Sequence, residues 1–178
     1  MTRTEVELKA KAPRDIEARL ASAGAKRLST KRQEDVLYDL PGEPLRKKGV
    51  VLRLRTENGR SLITYKGPSK SRRVKAKEEI EFAVAPAART LLECLGYSPT
   101  FSLGKTRTEY SLPGVTVCVD SVDIVGNWVE FECFGQAESC RRKIVAAAAK
   151  LGIPENDLAP LSYTTMVRER LKKGSRQK

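Results

Sequence analysis

Glu5, Glu7 and Lys9 occupy every second position along Thr4-Glu-Val-Glu-Leu-Lys-Ala10, with Val6 and Leu8 between them. Successive side chains of a strand point to opposite faces, so this segment predicts a strand with two acids and a base on one face. Acids in such a row offer hard oxygen ligands to a divalent cation, and a base among them offers a donor to phosphate oxygens. Taken alone, the segment also fits a solvated face on a surface strand. The arrangement recurs, however. Arg53 and Arg55 share a face over 50–55, and Lys66 closes 61–66 just before Gly67-Pro68. Glu79 and Glu81 stand opposite Ile80, Phe82 and Val84, while Lys105, Arg107 and Glu109 line up over 103–110. Asp120 ends the segment 115–120, and Glu130 and Glu132 oppose Val129, Phe131 and Cys133 over 128–133.

These rows need elements to hold them. Solvated sheet faces mix Ser, Thr, Asn and Gln with charges, whereas here the shared faces are nearly all ionic. Four helices are predicted between the strands. The segment 13–25 opens at Pro13, with Ile16 and Leu20 on one stripe and Gly24 at its end. The segment 86–95 turns Leu91, Leu92 and Leu95 inward and stops at Gly96. The third, 136–151, contains Ala146 to Ala149 and ends at Gly152, and the fourth, 160–172, carries Leu161, Met166, Val167 and Leu171. An α+β fold satisfies both sets of observations: a closed sheet with its charged faces turned inward around a tunnel and helices over an apolar outer wall. Buried charges are costly unless paired or bound to ions, so such a lumen implies an ionic ligand. Its bases are Lys9, Arg53, Arg55, Lys66, Lys105 and Arg107, six in all; its acids are Glu5, Glu7, Glu79, Glu81, Asp120, Glu130 and Glu132, seven in all. A triphosphate with its divalent cations needs both signs.

Composition bounds the rest. The chain has 178 residues, 40% hydrophobic and 31% charged, which suits one domain large enough for a core. We expect a single catalytic domain over 1–172 and a flexible basic tail over 173–178. There is no histidine, which removes the commonest general base and every Ser-His or Cys-His arrangement. Cys94, Cys118, Cys133 and Cys140 form no Cys-x-x-Cys pair and read as buried free thiols. Lys and Arg number 34 against 22 acids, for a formal charge of +12, which predicts polyanionic partners. No apolar run has the length of a membrane span and the first residues lack a signal-peptide core, so a cytoplasmic protein without a membrane partner is expected.

The ordered motifs resemble the CYTH superfamily, the triphosphate tunnel metalloenzymes. They run from Glu5-x-Glu7-x-Lys9 through Asp35-x-x-Tyr38-Asp39, Leu52-Arg-Leu-Arg55, Tyr65-Lys-Gly-Pro68 and Glu78-Glu-Ile-Glu-Phe82 to Lys105-Thr-Arg107, Val119-Asp120, Val129-Glu-Phe-Glu132 and Ser162-Tyr163. Within it, the stretch from Leu95-Gly-Tyr-Ser-Pro to Glu130 is most similar to class IV adenylyl cyclases. The resemblance implies an eight-stranded antiparallel barrel using Mg²⁺ or Mn²⁺, with Glu5, Glu7, Asp120, Glu130 and Glu132 as metal ligands. Glu79 and Glu81 are secondary candidates. It implies triphosphate contacts from Lys9, Arg53, Arg55, Lys66, Lys105 and Arg107, ATP or another triphosphate as substrate, and it allows a homodimer. Relatives in that superfamily also include inorganic and thiamine triphosphatases, so a triphosphatase is the first alternative reaction. A nucleic-acid-binding domain is the weaker alternative: few aromatics interleave with the bases, and specific nucleic-acid recognition is not expected.

Several segments carry two readings. The basic run 69–77 is a solvated loop or a lid over phosphates. Asp123 is a turn residue or a second carboxylate beside Asp120. Trp128 and the tyrosines pack, and Tyr163 belongs to the core or bonds at a helix end.

Overall fold

The computed structural model describes residues 3–69 and 75–175. Along the chain come β1 (Arg3–Lys11), α1 (Ile16–Ser22), β2 (Lys26–Asp39), α2 (Pro44–Lys47), β3 (Val51–Glu57), β4 (Arg60–Lys66) and β5 (Lys75–Val84). There follow α3 (Ala88–Cys94), β6 (Ser98–Leu112), β7 (Val115–Val122), β8 (Gly126–Phe134), α4 (Ala137–Lys150), a 3₁₀ turn (Glu155–Asp157) and α5 (Tyr163–Ser175). The eight strands close a barrel in the order β1-β5-β4-β3-β2-β6-β7-β8, every pair antiparallel and β8 returning to β1. Asn58 and Gly59, with φ of 47° and 74°, make the tight turn that joins β3 to β4. β2 is the strand that alternation alone does not mark; it pairs with β6 from Lys26 opposite Ser111 to Asp39 opposite Ser98.

Register aligns the charges. Glu7 lies opposite Glu132, Lys9 opposite Glu130, and Arg107 opposite Asp120. A slip by one residue would exchange the two faces of a strand, so the apolar outer set and the charged inner set hold each other in place. That outer set is buried by α1 and α4: Val6, Leu8, Val117 and Phe131 meet Ile16, Leu20, Ile144 and Leu151 in one core cluster. Each such side chain contributes roughly 1.5–3 kcal/mol by leaving water. α5 adds a second cluster, with Tyr163 and Val167 against Leu103 and Val122.

The helices depart from expectation in several places, and α2 is one that the sequence reading did not include. Leu92 packs on Tyr38 and Leu54, but Leu91 and Leu95 are 60% and 61% exposed. α3 is only seven residues long and turns one narrow face to the barrel, so positions 91 and 95 fall on its flank. Its last residue, Cys94, is likewise exposed, while Cys118, Cys133 and Cys140 are buried free thiols. α5 runs on to Ser175, beyond the boundary expected at 172, and the tail residues 176–178 lie outside the described residues. Of the run 69–77, Lys75 and Lys77 belong to β5, and residues 70–74 lie outside the described residues. Among the described residues no helix is long and apolar enough to cross a membrane.

Candidate active site

The barrel encloses a cavity of about 810 Å³. Twelve of the thirteen charged residues expected in the lumen line it: Glu5, Glu7, Lys9, Arg53, Arg55, Lys66, Glu79, Glu81, Lys105, Arg107, Glu130 and Glu132. The thirteenth, Asp120, is fully buried and does not line the cavity. The residues form two ionic groups. Around β1, β6, β7 and β8, Lys9 Nζ reaches Glu7 Oε1 at 2.9 Å and Glu130 Oε2 at 3.1 Å. Arg107 donates to Asp120, to Glu130 Oε2 at 2.8 Å and to Glu132 Oε1 at 2.8 Å. Around β3, β4 and β5, Lys66 pairs with Glu5 and lies 3.4 Å from Glu79, and Arg53 reaches Glu81 Oε2 at 3.0 Å.

Burial pushes Lys9, Lys66, Lys105 and Glu132 toward their neutral forms, and the neighbours decide the outcome. For Lys9, burial is outweighed by Glu130 and Glu7, and its pKa lies above the ordinary lysine range. Lys66 behaves alike, with Glu5 and Glu7 outweighing burial. Lys105 goes the other way: burial and the adjacent Arg107 lower its pKa against the pull of Asp120 and Glu130. Burial raises Glu132 to about 7, and although Arg107 opposes this, Glu130 and Glu5 add to it.

Four residues of the wall escaped the reading by alternation. Asp35 takes a two-pronged bond from Arg55, Nε to Oδ1 at 2.6 Å and Nη2 to Oδ2 at 2.8 Å. Despite burial, Arg53 and Arg55 hold its carboxyl far below the usual range. Thr64 donates to Glu81 Oε2 at 2.6 Å and accepts from Arg53. Lys77 donates to the Gly49 carbonyl at 2.7 Å. Tyr163, at the start of α5, donates to Asp120 Oδ2 at 2.8 Å, with Lys9 and Lys105 at 5.0 and 5.1 Å from its ring centre. Lys77 carries a signal that extends the row of Glu79 and Glu81 backward by two; Tyr163 carries one only in the Ser162-Tyr163 motif. Asp39, also buried, accepts from the backbone N–H groups of Leu40, Leu45 and Arg46 and so fixes the start of α2. Asp123 stands outside the barrel. Arg32 grips it at 3.0 and 2.7 Å across Gly104, where a Cβ would fall 2.2 Å from the guanidinium.

A divalent cation fits this donor set. Among the described residues no three acidic or thiol side chains converge as a preformed cage, because bases occupy their oxygens. Burial, together with the nearby charges of Glu130 and Glu5 and against the pull of Arg107, keeps the Glu132 proton on to about pH 7 and marks a place where added positive charge is favourable. Carboxylate oxygens there suit Mg²⁺ or Mn²⁺.

The model of the CYTH domain matches residues 3–163, and the chain belongs to that family. It is 28% identical over 134 residues to MJ0240 of Methanocaldococcus jannaschii, named as a candidate adenylate cyclase, spanning 74% of this chain and 77% of that one. It is 26% identical over 150 residues to adenylate cyclase CyaB of Aeromonas hydrophila, spanning 81% and 76%. Among solved structures, the PH1012 protein of Pyrococcus horikoshii superposes with a TM-score of 0.81 at 30% identity, over 92% of this chain and 99% of that one. The barrel with outer helices is therefore the family's tunnel fold.

Proposed function

We propose that the chain is a divalent-metal-dependent enzyme that converts ATP to cyclic AMP and pyrophosphate in this tunnel. The observation that carries the reading is the cavity wall itself, where buried acids and buried bases alternate in comparable number. Bases alone would suit a bare anion, and acids alone a bare cation; a metal-bound triphosphate requires both. The choice of cyclase over hydrolase is supported by the names of the two curated relatives.

In this reading Lys9, Arg53, Arg55, Lys66, Lys105 and Arg107 bind and orient the phosphate chain. Glu5, Glu7, Glu130 and Glu132 would hold the cation, which supplies charge neutralisation at the phosphoryl oxygens. The ribose 3′-hydroxyl oxygen forms a bond to the α-phosphorus as the bond from that phosphorus to the bridging oxygen breaks; pyrophosphate leaves with that bond's electron pair and takes up the proton that the hydroxyl releases. The chain's contribution is positioning and electrostatic stabilisation, for which no histidine is needed. The same reading takes the protein as cytoplasmic.

Chromatography of reactions containing ATP and Mn²⁺ or Mg²⁺, with tripolyphosphate run in parallel, tests this. Cyclic AMP and pyrophosphate are expected. Hydrolysis of the terminal phosphate of tripolyphosphate far faster than any formation of cyclic AMP would make the enzyme a triphosphatase.

A further inference from the structure

Gln33 of β2 is 2% exposed and does not line the cavity. Its Nε2 donates to Glu57 Oε2 at 2.7 Å, while its Oε1 has no hydrogen-bond partner among the described residues. Among them it is the only buried side-chain nitrogen or oxygen left so. The opposite placing of the amide would set its oxygen against the Glu57 carboxylate. Despite burial, Gln33 and Lys31 hold that carboxylate below its usual pKa, so it accepts and does not donate. The amide nitrogen is therefore tied to Glu57, and the oxygen is left over. A buried acceptor without a donor carries its full desolvation cost.

Register limits which donor could serve it. Gln33 lies opposite Glu57 on β3 and opposite Lys105 on β6, and directly opposed side chains share a face and stand about 4.5–5.5 Å apart at Cβ. Lys31 is spent on Glu57, Arg55 is clamped on Asp35, and Arg107 is spread over Asp120, Glu130 and Glu132. Lys105 remains. It lines the cavity, and among the described residues its ammonium makes one hydrogen bond, to Asp120 Oδ2 at 3.2 Å, out of the three it has to give.

We propose that Gln33 is a positioning residue of the triphosphate site, whose spare oxygen takes a proton of Lys105 when a phosphate oxygen takes another. In the empty barrel the ammonium is drawn to the charged acceptor, Asp120. An anion in the cavity pulls it forward on its flexible stem, and Gln33 Oε1 then steadies it from the wall. Asp120, Gln33 and the phosphate together match its three protons. The orphan oxygen is thus a cost that the empty barrel bears and the occupied one sheds, so it adds to affinity what it withholds from stability.

This role rests on the triphosphate reading of the tunnel, and a double-mutant cycle on the full chain keeps the two apart. Calorimetric titrations use tripolyphosphate as the probe. Gln33→Met should weaken its binding by about fivefold or more, the effect of one hydrogen bond, and by less than about twofold when Lys105→Met is already present. Gln33→Asn keeps the amide but draws it back by one methylene; it should follow the same pattern, and it decides if Gln33→Met does not fold. A residue that only supports the barrel would weaken binding equally in both backgrounds, and that result overturns the proposal. So does a Gln33 variant that binds tripolyphosphate as the wild type does, the outcome if a buried water serves Oε1 throughout. A wild-type chain that binds no tripolyphosphate overturns the triphosphate reading itself, and the role of Gln33 falls with it.

Discussion

The side of the barrel built from β1, β6, β7 and β8 and the side built from β3, β4 and β5 carry the same inner chemistry under different cover. On the first, α4 seals the outer face with Ile144 and Leu151, both 0% exposed, and the inner charges are nearly dry: the side chains of Lys9 and Glu130 are 3% and 5% exposed. On the second, Ile80 and Phe82 of the outer face are 41% and 58% exposed, and inside, Arg53 and Glu81 retain 14% and 28%. A wall closed on both faces leaves its charges no water to fall back on, so geometry must pair them. An open wall lets solvent share that task, and its pairs are worth correspondingly less.

The sharpest way to break this contrast is to remove one arginine from each side. Arg107→Ala leaves Asp120, Glu130 and Glu132 without their shared partner and should destabilise the chain by about 3–5 kcal/mol in urea unfolding. Arg53→Ala should cost less than half as much; equal losses would mean that cover does not govern the value of these pairs. The outer faces give the next contrast. Ile144→Ala should cost about 2–5 kcal/mol, whereas Phe82→Ala should stay below about 1 kcal/mol, both read from the same unfolding curves. Ligand binding sharpens the comparison further. Lys66→Ala and Lys105→Ala, one base from each side, should each weaken tripolyphosphate by about 1.5–3 kcal/mol in calorimetric titration. Unchanged affinity in either would remove that side from the phosphate site.

The smallest expected effect is in pH. Glu132 holds its proton to about 7, against 4.5 in the ordinary carboxyl, because burial and the charges of Glu130 and Glu5 outweigh Arg107. The folded state therefore binds that proton more tightly, and this group's contribution to stability in metal-free protein falls as pH rises from about 4.5 to about 7. Glu132→Gln should raise the melting temperature more at pH 8 than at pH 4. A gain of equal size at both would assign the shift to packing.

Much of this was legible because the inner and outer faces differ in kind. Wherever a strand alternates charge with Val, Leu, Ile or Phe, as in β1, β3, β5 and β8, the period of two is visible and the lumen residues follow from it. β2 hides because both of its faces are charged over its middle: Lys31, Gln33 and Asp35 alternate with Arg32 and Glu34, and the outer pair is spent on the Asp123 ion pair and its surroundings. Asp35 was lost with it to alternation and is visible only in the Asp35-x-x-Tyr38-Asp39 motif. Tyr163 was identifiable as a buried residue at a helix end, but its contact with Asp120 bridges 43 positions, a distance that no local pattern reports. The inward assignment of Leu91 and Leu95 failed for the opposite reason, since a heavily apolar short helix does not show how narrow its buried face is. Asp120 was placed correctly inside the sheet; its distance from the cavity depends on the bulk of Lys105, Arg107 and Tyr163 in front of it, which is a property of packing.

The separation of charge between wall and exterior has a kinetic side. With Lys77 and Asp35 added, the seven bases and eight acids turned inward nearly cancel, so the rest of the chain holds thirteen more bases than acids out of the 34 and 22 in total. The outer field gathers polyanions of any kind and speeds their encounter with the barrel, and it weakens as ions are added to the medium. The inner pairs, shielded from those ions, govern how long a captured molecule stays. Ionic strength thus acts on arrival and hardly on residence, so the crowd around the molecule and the occupant of its tunnel respond to different variables.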